Sequence, residues 1–435
     1  MGRPRYKSRS SRGTPVSDSQ VDIKTQLAPQ VTHWTRAAAR LQDLDDLAPP
    51  SAWSSLERYL GLSIRRYLSE VVTQLDREAT LLQAALAAAF SATDLLGVRR
   101  QLLAFRKRYV RVETTLGFYA DAINTRTNPR MAGYMRACDT LAHRSMTQLL
   151  DQLGKPTPVA LTYMDKGLGA SILKAGMRLW DGTSVNPVAA IKITRHNLLR
   201  PTALIHEAGH QVAHIAGWNE ELASALGAGL GDAPPGVAEA WASWASEIAA
   251  DAFAFVHTGY ASVAGLQNVL DGGPDVVFRH IPGDPHPISH IRVLLGVEMC
   301  RQIYGAGPWD DLARSWTQLY PLQRAPSATE PLLRASLPLL PHIVEITLRK
   351  PMRAFGGRPL VTLINPDRVK PETLLALEQQ LGPALYTSMH WVWTEALRLL
   401  ALTGLRMATT TDRGADTFKQ TEEWMLRLGG SLQAA

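Results

Sequence analysis

Cysteine is almost missing: Cys138 and Cys300 are the only two in 435 residues. They stand far apart with no Cys-x-x-Cys spacing, which excludes a disulfide framework and a thiolate metal site and predicts two buried free thiols. Long apolar runs are missing too. The most apolar stretches, 81–90 and 332–346, are short or broken by Arg and Pro, and neither reaches the ~18–20 residues a membrane helix needs. No membrane span is expected. An excess of one charge is also lacking outside the opening residues. The formal net charge is +7, but Arg3, Arg5, Lys7, Arg9 and Arg12 face only Asp18 in residues 1–20, which leaves +3 for the rest. No nucleic-acid partner is expected on that basis. The same twenty residues have few apolar side chains, so they read as a disordered basic tail. They contain no apolar core of a secretory signal peptide, and Tyr6 stands where a myristoylation signal wants Ser or Thr. Their Arg/Ser bias is similar to an organelle transit peptide or a delivery tag. The expected location is the cytoplasm, or a place reached from it without a secretory signal peptide.

What is present is enough apolar content, 46% of residues, to fill sizeable cores. Residues 21–155 read as a helical domain, with apolar residues at helical spacing through 60–90 and 95–119. The pattern changes after Gly154. Short stretches at 159–164, 177–180 and 189–194 are rich in β-branched or aromatic residues and bounded by Gly, Asp, Asn or Pro, which predicts a small sheet. A helix over 201–216 follows, then a Gly- and Pro-rich connection over 217–236, a second helix over 237–257, and a further helix beginning near Pro287. From 307 to 435 the chain is again helical, with breaks at Pro321, Pro326, Pro341 and Pro371. The expected fold class is α+β, mostly α: a core over 156–306 with a small sheet and an active-site helix, flanked by helical domains.

The chemistry is concentrated in that core. His206-Glu207-Ala208-Gly209-His210 is an H-E-x-x-H motif inside a predicted helix. Residues four apart share a helix face, so the two imidazoles can converge on one Zn²⁺ with Glu207 alongside as general base. The third ligand sets the class. A metzincin would place Gly and His where this chain has Ala213 and Ala216. His214 lies eight residues from His206, ~12 Å along a helix, too far for both to reach one metal. Glu247 is the better candidate. It and Asp251 are four apart on the second helix, so one can ligate while the other orients a ligating histidine. Glu239 is the rival, with Ser243 rather than a carboxylate four residues later. In Asp284-Pro-His286-Pro287, His286 stands at a loop-to-helix junction. From there it could donate to the oxyanion of a tetrahedral intermediate, plug a metal position in a resting form, or simply precede a helix.

In order, H-E-x-G-H, E-x-x-A-D and His-Pro with Arg six after the His resemble the gluzincin metallopeptidases of the HtpX and CAAX-prenyl-protease type. The likeness covers about residues 203–292 and concerns the catalytic core only. It implies a zincin-like core, one zinc per chain held by His206, His210 and Glu247, base catalysis by Glu207 and an orienting role for Asp251. It also implies that His286 and Arg292 shape the substrate side of the cleft, Arg292 lying outside the metal ligands. Those families commonly carry membrane helices, which this chain does not show.

The expected function is therefore zinc-dependent endopeptidase action on a protein or peptide. The alternatives are a zinc hydrolase of a non-peptide bond and a non-enzymatic helical protein with a degenerate motif. The strand over 189–194 is expected to form the sheet edge that pairs with substrate, with Ile191 and Ile193 as substrate contacts. Tyr260, Trp241 and Trp244 are candidate subsite walls or core residues, and His196 and Asn197 are possible substrate contacts.

Overall fold

The computed structural model describes residues 18–176, 185–410 and 414–430. The first seventeen residues of the expected basic tail lie outside them, as does the strand expected at 177–180. Two compact units divide the chain, the first ending at Ala120 and the second running from Asp121.

The first unit is built from α1 (Asp18–Arg40), α2 (Pro50–Leu60), α3 (Ile64–Ala87) and most of α4 (Ala92–Thr125). Pro50 opens α2 at a position where its missing N–H costs nothing, and Gly61 closes it at φ 66°. On α3, Leu68, Val71, Val72, Leu75, Ala79 and Leu82 recur three or four residues apart and are all buried, a stripe that packs on α1. The boundary thus falls inside α4 rather than near residue 155.

The second unit begins with α5 (Pro129–Leu150), capped by the Asn128 side chain, which accepts from the N–H groups of Arg130 and Met131. Three strands follow: β1 (Val159–Met164), β2 (Ser171–Leu173) and β3 (Val188–Ile193). β3 is central, parallel to β1 from Val159↔Val188 and antiparallel to β2 from Ser171↔Lys192. This corrects the expectation of a sheet edge at 189–194. Both sides of β3 are already hydrogen-bonded, and Ile191 and Ile193 are buried core side chains, not substrate contacts. Among the described residues β2 is the outer strand on that side.

A buried polar latch ties the sheet to α5. Asp139 accepts from the Thr162 backbone at 2.6 Å, the Thr162 hydroxyl at 2.7 Å and Arg126 Nη2 at 2.6 Å, so its charge is met on three sides.

Seven helices complete the region: α6 (Thr202–Ala216), α7 (Trp218–Gly229), α8 (Val237–Ser243), α9 (Ala245–Thr258), α10 (Tyr260–Leu270), α11 (Pro274–Val277) and α12 (Ser289–Tyr304). Two expectations change here. The Gly- and Pro-rich connection contains α7, whose Trp218, Leu222 and Leu226 are fully buried. The helix over 237–257 breaks at Trp244 into α8 and α9. The remaining described residues are mostly helical, and the helices Ala396–Thr409 and Gly414–Gly430 pack on α9 and α10 and on α5 respectively. These C-terminal helices share one unit with the sheet and α6. Among the described residues no helix is long and apolar enough to cross a membrane. Cys138 and Cys300 are buried free thiols.

Candidate metal centre

The centre is built where α6 crosses α9. Gly209 makes the crossing close: a Cβ there would meet Ala250 Cα at 2.9 Å and Phe253 Cβ at 3.0 Å. With no side chain in the way, the two backbones approach until residues on either side of the crossing face one another. His206 and His210 flank Gly209 on α6, and Glu247 and Asp251 flank Ala250 on α9. One ligand atom from each of His206, His210 and Glu247 lies within 4.8 Å of the others, a group that could hold a metal ion.

The distances within this group are informative. Glu247 Oε2 is 3.4 Å from His206 Nε2, and Oε1 is 3.2 Å from His210 Nε2. For metal–ligand bonds of ~2.0–2.1 Å in tetrahedral array, neighbouring ligand atoms stand ~3.3–3.4 Å apart. Each imidazole thus stands at such a distance from one oxygen of Glu247, and the three side chains are close enough together to hold a metal ion. The outer nitrogens have neighbours too: Asp251 Oδ1 is 2.8 Å from His206 Nδ1, an ion-pair distance without hydrogen-bond geometry, and Ser246 Oγ is 3.3 Å from His210 Nδ1. These contacts fix ring orientation and leave each Nε2 turned to the centre.

Arg292, from α12, anchors both carboxylates. Its Nη2 donates to Glu247 Oε2 at 2.9 Å and its Nε to Asp251 Oδ2 at 2.7 Å. Only 5% of its side chain is exposed, so its charge is spent on these two acids. His286 sits at the mouth: Nε2 is 3.6 Å from Glu247 Oε1, Nδ1 is 2.6 Å from Asp284 Oδ1, and the side chain is 59% exposed.

The electrostatics follow from burial and pairing. Burial works against the charge on Glu247, but contacts from His206 and His210 and the Arg292 charge outweigh it and hold the carboxyl well below its usual range. Asp251 is lowered likewise: burial opposes, and Arg292 and His206 prevail. Burial also opposes protonation of His206, yet Asp251 and Glu247 push its pKa up to about 10. For Glu207 burial dominates and raises the pKa, with the two histidines pulling the other way.

His206, Glu207, Glu247, Asp251, His286 and Arg292 line one cavity of about 210 Å³, whose other walls include Val263, Leu266, Val269, Leu270, Leu295 and Met299. Gly169 and Ala170, just before β2, also border it. Tyr260 does not. It is buried against Trp309 with ring centres 5.7 Å apart, which replaces the expected subsite role with core packing. Trp241 and Trp244 are likewise core residues, Trp241 donating to Ser336 Oγ at 3.0 Å. His196 and Asn197 hold the Leu168 carbonyl at 3.1 and 3.4 Å. His214 is exposed.

Two residues near the centre, Gln211 and Lys174, carried no sequence signal. Gln211, fully buried on α6, accepts from the Ala175 N–H at 2.8 Å and donates to its carbonyl at 3.0 Å, clamping the segment after β2. Lys174, whose pKa is lowered by burial, feels the charges of Glu247 and Glu207. Ser246 and Asp284 are visible only as neighbours of Glu247 and His286. Comparison with protein-family models, curated proteins and solved structures gives no match to this chain.

Proposed function

We propose that this protein is a zinc-dependent endopeptidase with a zincin-like core, similar in its catalytic residues to gluzincins. The observation that carries the reading is the spacing of His206 Nε2, His210 Nε2 and the two Glu247 oxygens. Two imidazoles and one carboxylate are the donor set of a hydrolytic zinc site, which keeps a fourth position open. When bound there, the metal supplies a water acidified toward neutrality and a Lewis acid for the scissile carbonyl.

The protein's own residues do the rest. Glu207, buried beside the ligands, takes the proton of the attacking water and delivers it to the leaving amine. Asp251 and Arg292 keep His206 and Glu247 in place, so little reorganisation is needed during the reaction. His286, at the mouth and oriented by Asp284, donates toward the oxygen that gains charge. The substrate backbone adds to the outer strand β2, whose approach at Gly169 and Ala170 borders the cavity. The apolar walls formed by Val263, Leu266, Leu295 and Met299 favour an apolar side chain next to the scissile bond.

Purified wild-type protein should hold about one zinc per chain and cleave a peptide library or casein. Glu207→Gln should retain the zinc while losing at least ~100-fold in turnover. Full activity in that variant rejects Glu207 as the base. Purified protein that takes up no stoichiometric zinc rejects the centre itself.

A further inference from the structure

The formal charge of +7 is carried entirely by the chain up to Ala120, where the first unit ends. Eighteen Lys and Arg stand there against eleven Asp and Glu, and the remaining residues balance at twenty-eight of each. Charge set apart in one part of a chain points to a polyanionic partner. Much of the excess gathers on one face of α4. Leu95, Val98, Leu102 and Phe105 are buried, so the inner side of the helix belongs to the core. On the outer side Leu96, Leu103 and Val110 are 52%, 41% and 50% exposed. Standing seven residues apart, they fall within ~20° of one line along the helix, a seam ~21 Å long. Arg99 and Arg106 lie ~40–60° to one side of that line, Arg100 and Lys107 as far to the other, and Arg111 slightly beyond them. All five cations are exposed.

No acid answers them. Among the described residues none of the five is in an ion pair, and Arg106 packs its guanidinium over the Trp34 ring at 5.0 Å. The nearby carboxylates are taken: Asp94 accepts from the N–H groups of Phe90 and Ser91, Glu113 from the Tyr109 hydroxyl, and Glu78 pairs with Arg108. A partner for this face must therefore offer negative charge on both flanks and apolar material between them. A coiled-coil helix needs apolar residues at two positions of each heptad, and here the second position holds Arg or Lys. A second copy of the chain would set like charges together. A nucleic-acid duplex would leave the three apolar side chains against phosphates. An anionic lipid surface meets both requirements, because headgroups take the cations and the acyl boundary takes shallow apolar side chains without fixed knob-and-hole geometry.

We propose that the outer face of α4 binds an anionic phospholipid surface, the helix lying flat with Leu96, Leu103 and Val110 turned to the acyl boundary and the flanking cations on the headgroups. Arg3, Arg5, Lys7, Arg9 and Arg12 add charge of the same sign in the same part of the sequence. The metal centre plays no part in this attachment.

Co-sedimentation of the full-length protein with vesicles tests the assignment. The protein should bind vesicles of phosphatidylcholine carrying phosphatidylserine, bind pure phosphatidylcholine only weakly, and be released as salt is raised. Each cation lost at such a surface weakens partition roughly fivefold, so Arg100→Gln, Lys107→Gln and Arg111→Gln together should weaken it ~100-fold. Leu103→Ser should weaken it several-fold. These side chains are exposed, so both variants should keep the wild-type circular dichroism and denaturation midpoint. No binding to phosphatidylserine vesicles overturns the proposal, and so does equal binding to uncharged ones. Wild-type affinity in the triple variant overturns it by placing the attachment elsewhere, the opening residues included. Wild-type affinity in Leu103→Ser rejects the flat pose, because the seam then stays in water. Tighter binding of duplex RNA or DNA at the same salt gives the face to nucleic acid, and a dimer broken by Leu103→Ser gives it to a second copy; either result overturns the lipid assignment.

Discussion

Arg292 is the residue on which the charge balance of the centre turns. Among the described residues it is the one guanidinium bonded to both Glu247 and Asp251, and all three side chains are buried or nearly so. Arg292→Met should leave two buried carboxylates without their cation, destabilising the unit by ~3–5 kcal/mol. Zinc would restore part of this, since it neutralises Glu247. Chemical denaturation with chelator and with zinc checks the point: the loss should be larger in chelator, and an equal loss in both rejects the coupling. Asp251→Asn is milder. It keeps the shape but loses the anion behind His206, so zinc affinity should fall ~10–100-fold with the fold retained; competition against a chelating dye measures it. The ligand trio could be read from the chain because four-residue spacing on a helix fixes a shared face. Arg292 could not be placed that way. It stands 41 residues from Asp251, and only likeness to known sequences suggested it, as a group facing substrate rather than one enclosed by acids.

The crossing of α6 and α9 converts a local motif into a site, and Gly209 is what permits it. Gly209→Ala would force a methyl group against Ala250 Cα at 2.9 Å, and since that neighbour is backbone it cannot rotate away. The helices must separate, at a cost of ~1–3 kcal/mol. The separation also pulls His206 and His210 away from Glu247, so zinc content should drop alongside the denaturation midpoint. A variant that loses stability while keeping full zinc would show that the crossing distance does not set the ligand geometry. Within the motif this glycine looked like a spacer, because what it must avoid lies 41 positions further on. Other elements were hidden for related reasons. α7 sits in a stretch that includes Gly227, Gly229 and Pro234-Pro235, where composition signals a loop, and it holds through the burial of Trp218, Leu222 and Leu226. β2 has only three residues, too few to show a period. Without β2 in view, β3 read as an edge; its apolar run records burial but not strand order. By contrast β1, α6 and the end of α9 could be read because each carries its own periodicity and boundary residues.

Acid sensitivity joins parts of the second unit that are far apart in sequence. His257 and His290 are buried and neutral, their pKa values pulled down by burial to about 3 and about 4, against hydrogen bonds to the backbone of Ser145 and Tyr320 that oppose the shift. The unfolded chain titrates near 6.5 at both sites. Below that pH it binds protons that the folded protein refuses, so folding stability must fall as pH drops from 6.5 toward 4. Each histidine contributes a slope of up to ~1.4 kcal/mol per pH unit in that window. His206 does not add to it, because its folded pKa is raised and its contribution is complete below 6.5. The lowered carboxyls of Glu247 and Asp251 act lower still, their stabilisation being lost only as pH falls past the ordinary carboxylate range. Denaturation midpoints of zinc-free protein between pH 6.5 and 5 follow the histidine part, which the raised pKa of Glu207 opposes. The double variant His257→Gln, His290→Gln should be less stable than wild type at pH 7 yet lose distinctly less on acidification, since neither glutamine takes up a proton. Parallel losses in the two proteins would mean that both imidazoles accept protons in the folded state.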